Sequence, residues 1–135
     1  MSWKESLIRI SSYEVETLQR RLADVVARRG DAELRLIILA AESEAEIVSA
    51  DQDAQAGWYR AGFLQAMRNR RAAAQGEIAA LTAEEAGARD ALAEAFEALK
   101  RFEHIAEAAR LAAVKEESRR ETVALDELGL RRKAR

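Results

Sequence analysis

From Ile8 onward, apolar side chains recur with a seven-residue period through the first part of the chain. One series reads Ile8, Val15, Leu22, Arg29, Leu36, and the series three residues later reads Ser11, Leu18, Val25, Ala32, Leu39. Seven of these ten positions are Ile, Val or Leu. This is the stripe by which one helix packs along another. Charged residues such as Glu16, Arg20, Arg21 and Arg28 fill the outer faces. After Leu39 the pattern weakens, with Ser43 and Glu46 on the seam. The spacing predicts a helix over about residues 3–50, roughly 70 Å long at 1.5 Å per residue.

A polar stretch, Asp51-Gln52-Asp53-Ala54-Gln55-Ala56-Gly57, then reads as a turn at residues 51–57, with aspartates able to cap a following helix. The period resumes with Leu64, Arg71, Ile78, Glu85, Leu92, Leu99, Ala106 and its companion series Met67, Ala74, Leu81, Ala88, Ala95, Phe102, Ala109. This second seam is rich in Ala, so close approach is expected but less apolar burial. Gly62, Gly76 and Gly87 each cost about 1 kcal/mol in a helix interior, so local bending or fraying is expected there rather than termination. The second helix is expected over about 58–128, followed by a frayed basic tail at 129–135.

Two long helices joined by a short turn make a single all-α domain over residues 1–135: an antiparallel coiled-coil hairpin with a longer second helix. A turn centred near Ala54 places Leu39 near residue 69, Leu22 near 86 and Ile8 near Lys100. The last 25 or so residues of the second helix then have no partner within the chain, yet they carry Leu111, Val114, Leu125 and Leu128. Such a stripe calls for a partner surface or for self-association into a larger bundle.

Composition supports this class. Ala, Glu, Arg, Leu and Lys make up 62% of the 135 residues, with no proline and 5% aromatics. That exceeds the roughly 50% share typical of long helices and coiled coils. The net charge of −2 is too balanced to advertise nucleic-acid affinity. By segment the charge is +1 over 1–39, −6 over 40–99 and +3 over 100–135. A hairpin would therefore have one basic and one acidic end, able to orient an encounter.

Catalytic constellations are hard to assemble from these residues. Without cysteine there are no disulfides, thiolate nucleophiles or zinc-thiolate sites. His104 has Glu107 three residues on, but Arg101 stands where a carboxylate di-metal bundle places its acid. No glycine-rich phosphate loop occurs, and the carboxylates sit beside arginines at helical spacing, as solvated pairs do. No enzyme activity, metal or cofactor is expected. The amino terminus lacks a secretory apolar core, and the longest apolar run, Leu36 to Ala41, is far short of the roughly 20 residues of a membrane span. The basic run Arg131-Arg132-Lys133-Ala134-Arg135 is countered by Glu116, Glu117, Glu121, Asp126 and Glu127, so no nucleic-acid partner is expected.

The densest aromatic cluster, Trp58, Tyr59 and Phe63, followed by Leu64 and Met67, falls just after the turn. Large rings at a hairpin tip either anchor a partner or wrap over the turn and clamp it. Trp3 and Tyr13 carry the same ambiguity.

The stretches Leu7-Ile8-Arg9-Ile10, Tyr13-Glu14-Val15 and Arg20-Arg21-Leu22, then Trp58-Tyr59-Arg60-Ala61-Gly62-Phe63-Leu64, and finally Arg119-Arg120-Glu121 with Leu125-Asp126-Glu127-Leu128 and Arg131-Arg132, together resemble the FliJ family. These are small soluble coiled-coil proteins of the bacterial flagellar type III export apparatus. The resemblance covers nearly the whole chain and implies a non-enzymatic, cytoplasmic stalk and escort protein, peripheral to the membrane-embedded apparatus. It implies that the end holding both termini enters the hexameric export ATPase, through Leu7, Ile8, Tyr13, Leu125 and Leu128 here. The tip, with Trp58, Tyr59, Phe63, Leu64 and Met67, would meet the cytoplasmic domain of the export gate or export chaperones. The family's gate-contacting tyrosines before the turn have no counterpart, since Ala40, Ala41, Glu42 and Glu44 stand there. A monomer or weak self-association is expected. The alternatives are a structural coiled coil that self-associates into a bundle, and the equivalent stalk of a non-flagellar type III system.

Overall fold

The computed structural model describes residues 2–52 and 57–134. Among them the chain forms two α-helices and no strand: α1 (Trp3–Gln52) of 50 residues and α2 (Gly57–Ala134) of 78. The fold is thus an all-α helical hairpin with the longer helix second. Asp51, Gln52 and Gly57 belong to the helices, and the rest of the expected turn, residues 53–56, lies outside the described residues. α2 runs unbroken through Gly62, Gly76 and Gly87, none of which has positive φ.

The start of α1 is fixed by a reciprocal capping box. The Glu5 backbone N–H donates to Ser2 Oγ at 3.3 Å, and the Ser2 N–H donates to Glu5 Oε2 at 3.2 Å. Two donors that the first turn leaves without helical partners are satisfied in this way. At its other end α2 continues through residues 129–134, where the sequence suggested a frayed tail. Arg131, Arg132 and Lys133 in the last turn complement the negative end of the helix dipole, and Arg and Lys are good helix formers.

The chain divides into two compact units: a junction unit, Glu16–Ala93, and a terminal unit, Met1–Val15 with Glu94–Arg135. In the junction unit the helices run antiparallel along the seven-residue seam. Val25, Ala32, Leu81 and Ala88 are buried between them, Val25 without any exposure. The seam's charged interruptions meet each other: Arg29 Nε lies 2.7 Å from Glu85 Oε2. Arg28 reaches Glu84 at 2.9 Å and Arg35 reaches Glu77 at 2.8 Å.

These pairs correct the register expected from the sequence. Each first-helix residue lies about one helical turn further along α2 than a turn centred on Ala54 would put it. In the expected alignment Arg29 would sit opposite Ala79, leaving it only Glu33 and leaving Glu85 only Arg89, each within its own helix. A half-buried charge facing an apolar surface is costly, so the alignment that joins the two charges wins.

In the terminal unit Ser11, Val15, Ala95 and Leu99 are buried. The same shift places Ile8 in a groove with Glu103, Ala106, Glu107, Ala109 and Arg110, rather than beside Lys100. Past Arg110 α1 has run out, and Leu111, Val114, Val123, Leu125, Leu128 and Leu130 are all exposed. Local terms sustain the helix there. Arg110 binds Glu107 through two hydrogen bonds of 3.0 and 2.7 Å, and Arg119 binds Glu116 at 3.1 and 2.8 Å. Each pair has Glu on the amino-terminal side, the better order.

Candidate partner-binding surfaces

Within the terminal unit the five residues singled out by the sequence do not form one patch. Leu7 and Ile8 are half-buried against the seam, and Tyr13 is exposed. Leu125 and Leu128 lie on the unpartnered part of α2, lining a shallow depression with Gly129, Arg131 and Arg132. Arg110, beside Ile8, is separated from Leu125 by about 22 Å of helix at 1.5 Å per residue. A second depression on the same stretch is lined by Ala108, Leu111, Ala112, Val114, Lys115 and Ser118. The structure adds Ile10 as an exposed apolar residue, with Trp3 exposed beneath the Lys4 ammonium, 5.5 Å from the ring centroid. Trp3 and Ile10 are seven residues apart and outside both seam series, which is the signal that marks them.

In the junction unit the five aromatic-cluster residues separate into two kinds. Trp58 is 86% exposed, and its ring meets Tyr59 edge to face with centroids 5.4 Å apart. Leu64 and Met67 belong to the seam: they are half-buried and line a groove of about 180 Å³ with Leu39, Ala40, Ser43, Ile47, Arg68 and Arg71. Phe63 is half-buried. The sequence reading passed over Leu34, Ile37, Ile38 and Val48, exposed on α1. Leu34, Ala41 and Val48 repeat every seven residues off the seam, a second stripe that the stronger first one masks.

Arg60, near the start of α2, forms an ion pair with Asp51, near the end of α1. Each charge opposes its own helix dipole, since Asp51 is at the carboxyl end of α1 and Arg60 near the amino end of α2. Pairing them offsets both penalties.

Several carboxylates are committed to arginines, among them Glu85, Glu107 and Glu116. A hydrogen bond from Arg89, reinforced by Arg29, holds the Glu85 carboxyl below its ordinary pKa against the opposing effect of burial. Arg110 does the same for Glu107, and Arg119 with Arg120 for Glu116. Glu107 thus serves Arg110 and His104 is exposed. Among the described residues no group of three His, Cys, Asp or Glu is placed to hold a metal, and no helix is long and apolar enough to cross a membrane. What these surfaces offer is apolar area edged by guanidinium groups, the makings of protein–protein contact.

The chain is 51% identical over 132 residues to the flagellar FliJ proteins of two Caulobacter vibrioides strains, NA1000 / CB15N and ATCC 19089 / CIP 103742 / CB 15. Each alignment covers 98% of this chain and 95% of the relative. No family profile and no solved structure matches. Identity of this extent, along a chain whose seam and exposed stripes run nearly its whole length, shows that it belongs to the flagellar FliJ family.

Proposed function

We propose that the chain is a non-enzymatic stalk and escort component of the flagellar type III export apparatus, cytoplasmic and peripheral to its membrane-embedded part. The terminal unit binds the hexameric export ATPase, and the junction unit binds the cytoplasmic domain of the export gate or export chaperones. One observation carries this reading: α2 continues for more than twenty residues past the start of α1, and its six large aliphatic side chains there are exposed. An isolated helix face of this kind gains stability by burying its apolar area, at roughly 25 cal/mol per Å², on a partner.

The test is retention on immobilised export ATPase. The full-length chain is retained, while L125D/L128D and a chain ending at Arg110 are lost. Equal retention of all three overturns the assignment of the terminal unit. Sedimentation decides between this reading and a self-associating bundle: a monomer supports the stalk, and a tight dimer overturns it.

A further inference from the structure

The two arginines on the seam are treated differently. Arg29 is neutralised by Glu85 and Glu33. Arg71, at the equivalent kind of position on α2, is exposed and pairs with no carboxylate among the described residues. Its neighbour Arg68 donates only to the Gln65 side-chain carbonyl, at 2.9 Å. Residues 57–76 contain four arginines and no acid, and only Arg60 has an ionic partner among the described residues. The nearby α1 carboxylates of Glu42, Glu44 and Glu46 form no ion pair with them. Arg68 and Arg71 border the groove floored by Leu39, Ile47, Leu64 and Met67.

We propose that this groove docks an acidic amphipathic helix of a protein partner, whose apolar side chains cover Leu39, Ile47, Leu64 and Met67 while its carboxylates pair with Arg68 and Arg71. The inference rests on the reading of the junction unit as partner-binding and names the chemistry of what it binds. A groove between two helices accepts a third helix along it by the same seam packing that built it. Arg68 and Arg71 are three residues apart, on one face of α2, so carboxylates three or four apart on the incoming helix meet both. A basic helix would set its cations against these two unpaired guanidinium groups, and a nucleic acid backbone offers no apolar stripe to cover Leu39, Ile47, Leu64 and Met67.

The experiment uses the full chain and two designed helical peptides with the same leucine stripe, one flanked by glutamates and one by lysines, each carrying a fluorophore for anisotropy. The acidic peptide binds tighter by roughly fivefold or more, as two exposed pairs allow. The preference shrinks with added salt, persists in R68K/R71K, and reverses in R68E/R71E. Equal binding, failure to bind either peptide, or an unchanged preference in R68E/R71E overturns the proposal. A dimer that R68E/R71E dissolves overturns it as well, because the occupant is then a second copy.

Retention on the export-gate cytoplasmic domain separates the two levels. Loss with W58A/F63A but not with R68E/R71E defeats the groove and leaves the junction-unit reading standing. Retention of both variants defeats that reading itself.

Discussion

The two units are built from the same helix-forming residues but stabilised by different means. In the junction unit, among the described residues, four ion pairs cross between the helices: Arg28–Glu84, Arg29–Glu85 and Arg35–Glu77 along a seam of small buried side chains, and Asp51–Arg60 where α1 ends and α2 begins. In the terminal unit the ion pairs among the described residues all lie within α2: Lys100–Glu103, Glu107–Arg110 and Glu116 with Arg119 and Arg120. Cross-helix pairs specify an alignment, whereas pairs within one helix hold a shape and leave its face available. The difference teaches that register and availability are set separately along one continuous pattern.

The sharpest way to break this comparison is to place one charge in each unit. Val25→Asp buries a carboxylate without a partner and should cost roughly 3–5 kcal/mol. Leu125→Asp meets only solvent and should change stability by about 0.5 kcal/mol or less. Urea denaturation followed by helical circular dichroism measures both. Similar losses would mean that the stretch past Arg110 is covered after all.

A middle-sized effect is expected at the charged step in the seam. Glu85→Ala leaves Arg29 with Glu33 alone, removes the charge that fixes the register and should lower Tm by roughly 5 °C at neutral pH. The Glu85 pKa is lower in the folded chain than in the unfolded one. The unfolded state therefore takes up protons first as pH falls. The stability from Glu85 is complete above its ordinary value of 4.5 and is lost below it, as pH drops through the folded value. Thermal melts between neutral and acid pH should fall less steeply for Glu85→Ala than for the parent chain. Parallel curves would remove Glu85 from the account.

Smaller effects, and in the stabilising direction, belong to the glycines. A Cβ at Gly76, Gly87 or Gly129 meets nothing within 4 Å. Gly76→Ala and Gly87→Ala should each stabilise the junction unit by about 0.5–1 kcal/mol. Gly129→Ala should raise amide protection around residue 129 without moving the cooperative transition. A global shift from Gly129→Ala would show that the final turns of α2 are coupled to the seam.

Much of this fold could be read in the chain before any coordinates. The seven-residue period marks both seams, and their expected positions are buried or half-buried except Arg71, which is exposed. The period is legible because each seam residue contributes independently to one stripe. Register is not a property of either stripe alone. It depended on Arg29 finding Glu85, a choice between pairings that a seven-residue repeat makes nearly equivalent. The site residues divided for the same reason. Trp58 is exposed at the start of α2, but Leu64 and Met67 turned out to belong to the seam as much as to any partner surface.

Helix content, the two-helix division, the bare carboxyl-terminal stripe and the excess of arginine after the junction all follow from the amino-acid order. Propensity and periodicity act over a few neighbouring residues, and charge is counted without knowing the fold. The tertiary structure alone decided which turn of α1 faces which turn of α2 and which charges are neutralised across the seam. Those outcomes depend on groups some 40 to 60 residues apart competing for the same few ångströms of seam, as the separations of Arg35 from Glu77 and Arg28 from Glu84 show.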